Sequence, residues 1–260
     1  MAIKDRIEDI RKNLEGSNAQ LVAVSKYHPA SAIQEAYDTA GQRIFGESHA
    51  LELRDKHEAL PKDIEWHFIG HLQTNKIKYI APYVALIHSV DSLNLLAEID
   101  KHAKKCGRVI DCLLEVHIAE EETKYGFSIS DVRSLYAENK IKPLENVRVV
   151  GLMGMATATD DDVQIKEEFH TLSSFFVEAK SSFAPEFVTL SMGMSGDYTI
   201  AAEDGMTILP RPRVTDEEIV TPFRFSICRA MPPAMQRGAV MRPDHLPPPV
   251  GIFPHWSHEA

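Results

Sequence analysis

Seven times between residues 19 and 204, a short apolar run gives way to a helical pattern. "QLVAVSK" is followed by "SAIQEAYDTAG", "RIFGES" by "HALELRDKHEAL", "EWHFIG" by "QTNKIKYIAPY", and "ALIHSVD" by "SLNLLAEIDKHAKKCG". "VIDCLLEVHIA", "VRVVGLMGMA" and "EFVTLSMG" complete the series, with helical patterns near "SDVRSLYAENK", over 161–182 and near "DYTIAAEDG". The runs are almost continuously apolar rather than alternating, which is the pattern of parallel strands buried on both faces. Gly41 and Gly107 stand where two of the helices should stop. Ile3, Ile7, Ile10 and Leu14 add an amphipathic helix ahead of the first strand. Seven β/α units exceed the five or six of an open doubly wound sheet. The expected fold is therefore α/β, a single (β/α)8 TIM barrel.

The eighth unit breaks the pattern. "GMTIL" begins like a strand, but Pro210 and Pro212 follow, and proline cannot donate to a sheet ladder. Ten of the fifteen prolines fall within 210–260, a stretch with six arginines and no lysine. The expectation is a barrel domain over 1–209 with a degraded eighth strand, then an irregular, disordered Pro-rich tail over 210–260.

Composition removes several classes. A formal net charge of −10 argues against a general nucleic-acid binder, which needs a basic face. No run approaches the roughly 20 apolar residues of a membrane span, and the charged N-terminus lacks the apolar core of a secretion signal. Cys106, Cys112 and Cys228 form no metal or redox motif. An odd, unpatterned set of cysteines suits a reducing cytoplasm.

Within this frame, Lys26 is the residue to explain. It ends the apolar run "LVAV", and a barrel residue there faces the active-site mouth. A partly desolvated lysine can have a lowered pKa and form a Schiff base with an aldehyde. The competing reading is a lysine whose head reaches solvent. "SMGMSGD", residues 191–197, supplies Gly193 and Gly196 for a tight turn and Ser195 for a cap and a hydroxyl. It lies where barrels commonly bind phosphate, although a plain glycine-rich turn fits as well. In "GLMGMATATD", Gly151 and Gly154 leave room for a flat ligand on which Met153 and Met155 pack. The competing reading is a tight interior that needs small residues. Lys124, beside Tyr125 and Gly126, is placed to reach a phosphate or carboxylate over the mouth, or is a surface lysine. His67 and His71 in "WHFIGHLQTNK" are four apart, but they span a strand end and a loop, with no third ligand evident. No metal site is expected, and Asn75 and Lys76 read as polar anchors at the rim.

Taken together, "AVSKYHP", "IFGES", "WHFIGHLQTNK", "IHSVDS", "ETKYGF", "GLMGM" and "LSMGMSGDY" resemble the YggS/PROSC family of pyridoxal phosphate homeostasis proteins, over roughly residues 3–209. The resemblance implies a barrel of the alanine racemase N-terminal type, the fold type III of pyridoxal phosphate (PLP) proteins. It implies PLP held as a Schiff base on Lys26, with Ser195 on the phosphate and the backbone of Gly193 and Gly196 beside it. It also implies a monomeric cofactor carrier and regulator of vitamin B6 pools, without established turnover, that serves PLP-dependent apoenzymes. Ser48 stands where the family usually has the asparagine of "FGEN". It keeps a hydrogen-bonding group with shorter reach. Pro210 stands where the family's eighth strand has an arginine facing the pyridine nitrogen. That loss of motif, with the change in composition, resembles a shifted reading frame or a fused tail. The alternative function is a PLP-dependent racemase or lyase of the alanine racemase type. It needs a second base, and the tail contains no tyrosine. A cofactor-free aldolase using the same lysine is a further alternative.

Overall fold

The computed structural model describes residues 2–16, 19–120, 125–203 and the backbone of 224–230. Helix α1 (Ile3–Asn13) precedes strand β1 (Ala19–Val24). Then come α2 (Ala30–Ala40), β2 (Ile44–Glu47), α3 (Ala50–Ala59), β3 (Glu65–Phe68), a 3-10 helix (Thr74–Tyr79) and β4 (Leu86–Val90). The series continues through α4 (Leu93–Lys105), β5 (Ile110–Glu115), α5 (Ile129–Ala137), β6 (Val147–Gly154), α6 (Asp162–Ser182), β7 (Thr189–Met192) and α7 (Tyr198–Glu203). Neighbouring strands from β1 to β7 pair in parallel, in sequence order.

Successive residues of a strand point to opposite faces, and this explains the continuous apolar runs. In β1, Leu21 and Ala23 join the large core between barrel and helices, while Val22 faces inward. In β5, Cys112 and Leu114 face the helices and Leu113 faces inward. Val22, Leu86, Leu113, Val150 and Met153 fill the barrel interior. Local signals set the helix ends. Ser92 accepts from the Leu95 N–H, Ser128 and Asp131 form a reciprocal capping box, and Asp161 accepts from the N–H groups of Val163 and Gln164. Gly41 ends α2 in the left-handed conformation at φ 61°.

The eighth strand departs from the expectation. It lies at Arg224–Ala230, inside the stretch read as an irregular tail, and runs antiparallel to both neighbours. Leu21 pairs with Ile227, and Leu190 with Arg229. The sheet thereby closes from β1 around to β8. The physical cause is the open edge: β1 and β7 would otherwise leave rows of backbone donors and acceptors unpaired. "RFSI" also carries the period of two that a strand needs, with Phe225 and Ile227 alternating with polar residues. The "GMTILP" segment lies outside the described residues. No helix among the described residues is long and apolar enough to cross a membrane.

Candidate functional site

The C-terminal ends of β1 to β7 surround one cavity of about 760 Å³. Each strand contributes at or just beyond its end: Val24 and Lys26 from β1, Ser48 from β2, Phe68 to Gln73 from β3, Ser89 from β4, Glu115 from β5, Met155 from β6 and Met194 from β7. Phe68, Ile69, Met155 and Met194 form apolar wall, and Lys26, Ser48, Lys76, Ser89 and Glu115 are among the polar positions. Tyr27, His49 and Tyr125 stand at the rim. Tyr27 packs on His49 and Tyr125 on His71, with ring centroids 5.1 and 4.9 Å apart.

Lys26 is half-buried at this mouth, and its neighbours are held in place. The Ser25 N–H donates to the Gly46 carbonyl at 2.9 Å. The Ser25 hydroxyl donates to Glu47 Oε1 at 2.6 Å, and its carbonyl accepts from Lys56 Nζ at 2.7 Å. Lys56 Nζ also donates to Glu47 Oε1 and Glu52 Oε1, both at 2.6 Å. Glu47 is fully buried, and its Oε2 has no partner among the described residues. Burial outweighs the attraction of Lys56 and raises the Glu47 carboxyl to about 7.

Glu115 ends β5 on the cavity wall and is 5% exposed. Burial, with a smaller contribution from the Asp91 charge, raises its carboxyl to about 8. It therefore favours the protonated form at neutral pH.

Ser48 sits beside Gly70. A Cβ at Gly70 would lie 2.6 Å from the Ser48 Cβ, so only glycine allows this approach of the β2 and β3 ends. In the turn after β7, Gly193 is buried at φ 82°, while Ser195 and Gly196 are exposed. Met194, between Gly193 and Ser195, is the residue that lines the cavity, and Asp197 Oδ1 accepts its N–H.

Met153 requires a correction. Its side chain is 1% exposed in the interior cluster with Val22, Leu86 and Leu113. Met155 has the same strand parity but lies one step nearer the mouth, so it reaches the cavity. The paired glycines likewise serve packing rather than a ligand. A Cβ at Gly151 would lie 1.6 Å from the Thr189 carbonyl oxygen, and one at Gly154 would lie 2.7 Å from the Leu172 side chain. Lys124 lies outside the described residues.

The two histidines separate. His67 is buried in a chain across the barrel: its Nδ1 lies 2.9 Å from His88 Nε2, and His88 Nδ1 lies 2.9 Å from Ser191 Oγ. Burial lowers the pKa of His67 to about 3 and that of His88 well below the usual range, so both are neutral. His71 stands at the rim, 3.1 Å from Asp91 Oδ2. Lys76 lines the cavity, and Asn75 lines a neighbouring hollow.

Glu47, Lys56 and Glu115 were not anticipated from sequence. The signal for the two carboxylates was available: each ends an apolar strand, as Lys26 nearly does.

Comparison with known proteins agrees with this geometry. Residues 1–211 match the family "Alanine racemase, N-terminal domain". The pyridoxal phosphate homeostasis protein of Aquifex aeolicus is 39% identical over 209 residues, covering 78% of this chain and 90% of that one. PipY of Synechococcus elongatus, solved with PLP bound, is 34% identical with a TM-score of 0.71, covering 80% of this chain and 96% of that chain. Alanine racemase from Streptomyces coelicolor shares the fold at 17% identity and a TM-score of 0.60, over 81% of this chain and 56% of its own. The chain belongs to the alanine racemase N-terminal domain family and, within it, to the pyridoxal phosphate homeostasis proteins.

Proposed function

We propose that this chain binds pyridoxal phosphate as a Schiff base on Lys26 and acts in the homeostasis of that cofactor. The observation that carries the proposal is a half-buried lysine opening into a cavity of about 760 Å³ at the end of β1. The volume lies within the range of small-molecule and cofactor sites. The walls suit an aromatic ring, with Ile69 contributed from just beyond β3 and Met155 and Met194 from just beyond β6 and β7. When bound, the cofactor supplies an aldehyde and an electron-withdrawing ring. Lys26 supplies the amine, which must be neutral to react. Ser48, Ser89 and Lys76 supply polar contacts on the β2 to β4 side. The Ser195 hydroxyl, with the backbone of Gly193 and Gly196 and the Lys124 ammonium, serves the phosphate. In this reading, residues 1–209 hold the cofactor site, and the protein is a cytoplasmic monomer that hands its cofactor to apoenzymes without turnover of its own.

The test is a titration of the protein with pyridoxal phosphate, followed by visible absorbance. A saturable band that is absent in Lys26→Ala is expected. A wild-type protein without the band, or a Lys26→Ala protein with the same band, refutes the proposal.

A further inference from the structure

Lys26 is bracketed by two backbone groups that are both held from one face of α3. On its N-terminal side, the Ser25 carbonyl accepts from Lys56 Nζ at 2.7 Å. On its C-terminal side, the Tyr27 N–H donates to Glu52 Oε1 at 2.7 Å. Glu52 and Lys56 are four apart on the helix and are joined at 2.6 Å, so the two holds form one clamp. We infer that Glu52 and Lys56 are positioning residues that fix the Ser25–Lys26–Tyr27 turn and aim the lysine at the cavity. The inference rests on the Schiff-base reading of Lys26.

Three observations point the same way. Tyr27 adopts φ 66°, a left-handed conformation that is unfavourable for an aromatic residue. The residue is 71% exposed, so burial does not compensate. Such conformations persist when surrounding contacts over-determine them, and they cluster at ligand sites. Lys56 is the second observation. Its side chain is only 7% exposed, and its three ammonium protons go to Ser25 O, Glu47 Oε1 and Glu52 Oε1. A buried ion cluster is poor value as a source of stability, since apolar packing would often serve as well. What this cluster provides is a fixed backbone beneath a reactive side chain, the support a preorganised site requires. Third, Glu47 ties the clamp to the end of β2, through both Lys56 and the Ser25 hydroxyl. The turn after β1 is thus referenced to a neighbouring strand as well as to the helix.

The clamp is tested on the full chain with Glu52→Ala and Glu52→Gln. The Glu52 side chain is 25% exposed, and alanine is a good helix former, so the fold is retained. The alanine variant removes the acceptor for Tyr27, whereas glutamine keeps a carbonyl oxygen there. Hydrogen exchange of the Tyr27 amide in the cofactor-free protein should quicken at least about tenfold in Glu52→Ala. The same variant should bind pyridoxal phosphate roughly tenfold more weakly and show a weaker induced circular dichroism of the bound chromophore. The melting temperature of the cofactor-free protein should move by no more than about 4 °C. Glu52→Gln should recover both the affinity and the dichroism. If Tyr27 exchanges faster while affinity and dichroism stay at wild-type values, the clamp does not position Lys26 and the inference fails alone. Unchanged exchange in Glu52→Ala overturns it as well. If the wild-type protein forms no chromophore, the proposed function fails and takes this inference with it.

Discussion

Glu115 offers a quantitative test of how dry the cavity wall is. Its carboxyl is raised from 4.5 to about 8 by burial, with Asp91 adding to the shift. At about 1.4 kcal/mol per pH unit, the charged form costs about 5 kcal/mol in the folded protein, an upper figure for so buried a group. The sign follows from proton binding. Between pH 4.5 and 8 the folded state holds a proton that the unfolded state has released, so stability falls as pH rises. Glu115's favourable contribution is complete below about 4.5 and lost above about 8. Glu115→Gln keeps the shape and cannot ionise. Urea unfolding of both cofactor-free proteins, measured from pH 4 to 9, should give similar stabilities at the acid end. The variant should gain steadily with pH, reaching an advantage of up to about 5 kcal/mol near pH 9. Glu47 also titrates near 7, but it is common to both proteins and cancels in the difference. Parallel profiles would mean that Glu115 ionises normally in the folded state and would refute the desolvated wall.

Two further perturbations probe the frame around the site. Lys56→Met leaves the buried Glu47 without its cation, and unfolding should show a loss of about 3–5 kcal/mol; adding Glu47→Gln should recover most of it, and a double variant as unstable as Lys56→Met would argue that the pair does not act as a unit. Cutting the chain after Leu209 removes β8 and deprives six residues of β1 and three of β7 of their partners on that edge. A markedly lower melting temperature with increased light scattering is expected, and an unchanged melting curve would show β8 to be dispensable.

Much of the fold is legible because burial on both faces writes parallel strands as unbroken apolar runs. "LVAV" and "CLLEV" needed no further context. The eighth strand was hidden for two reasons. One of its two partners, β1, lies some two hundred residues away, and its short alternating run sits among prolines that suggest the opposite. Lys26 stands out because an ammonium next to a core strand demands an explanation. Glu47 and Glu115 satisfy the same logic, but an acidic residue at a strand end also reads as the start of a solvated loop. Only their burial separates the two readings. Met153 and Met155 share a face by alternation, and sequence carries no measure of depth along the barrel axis. Gly151 is similar, since the residue alone does not say whether the missing Cβ makes room for a ligand or for the carbonyl of the next strand.

The most direct measurement is chemical trapping. The protein is incubated with pyridoxal phosphate, reduced with borohydride, digested and mapped by mass spectrometry. The account predicts one reduced adduct, on the peptide carrying Lys26, and none in Lys26→Ala. An adduct spread over surface lysines such as Lys62 and Lys101, or its absence from Lys26, would contradict it.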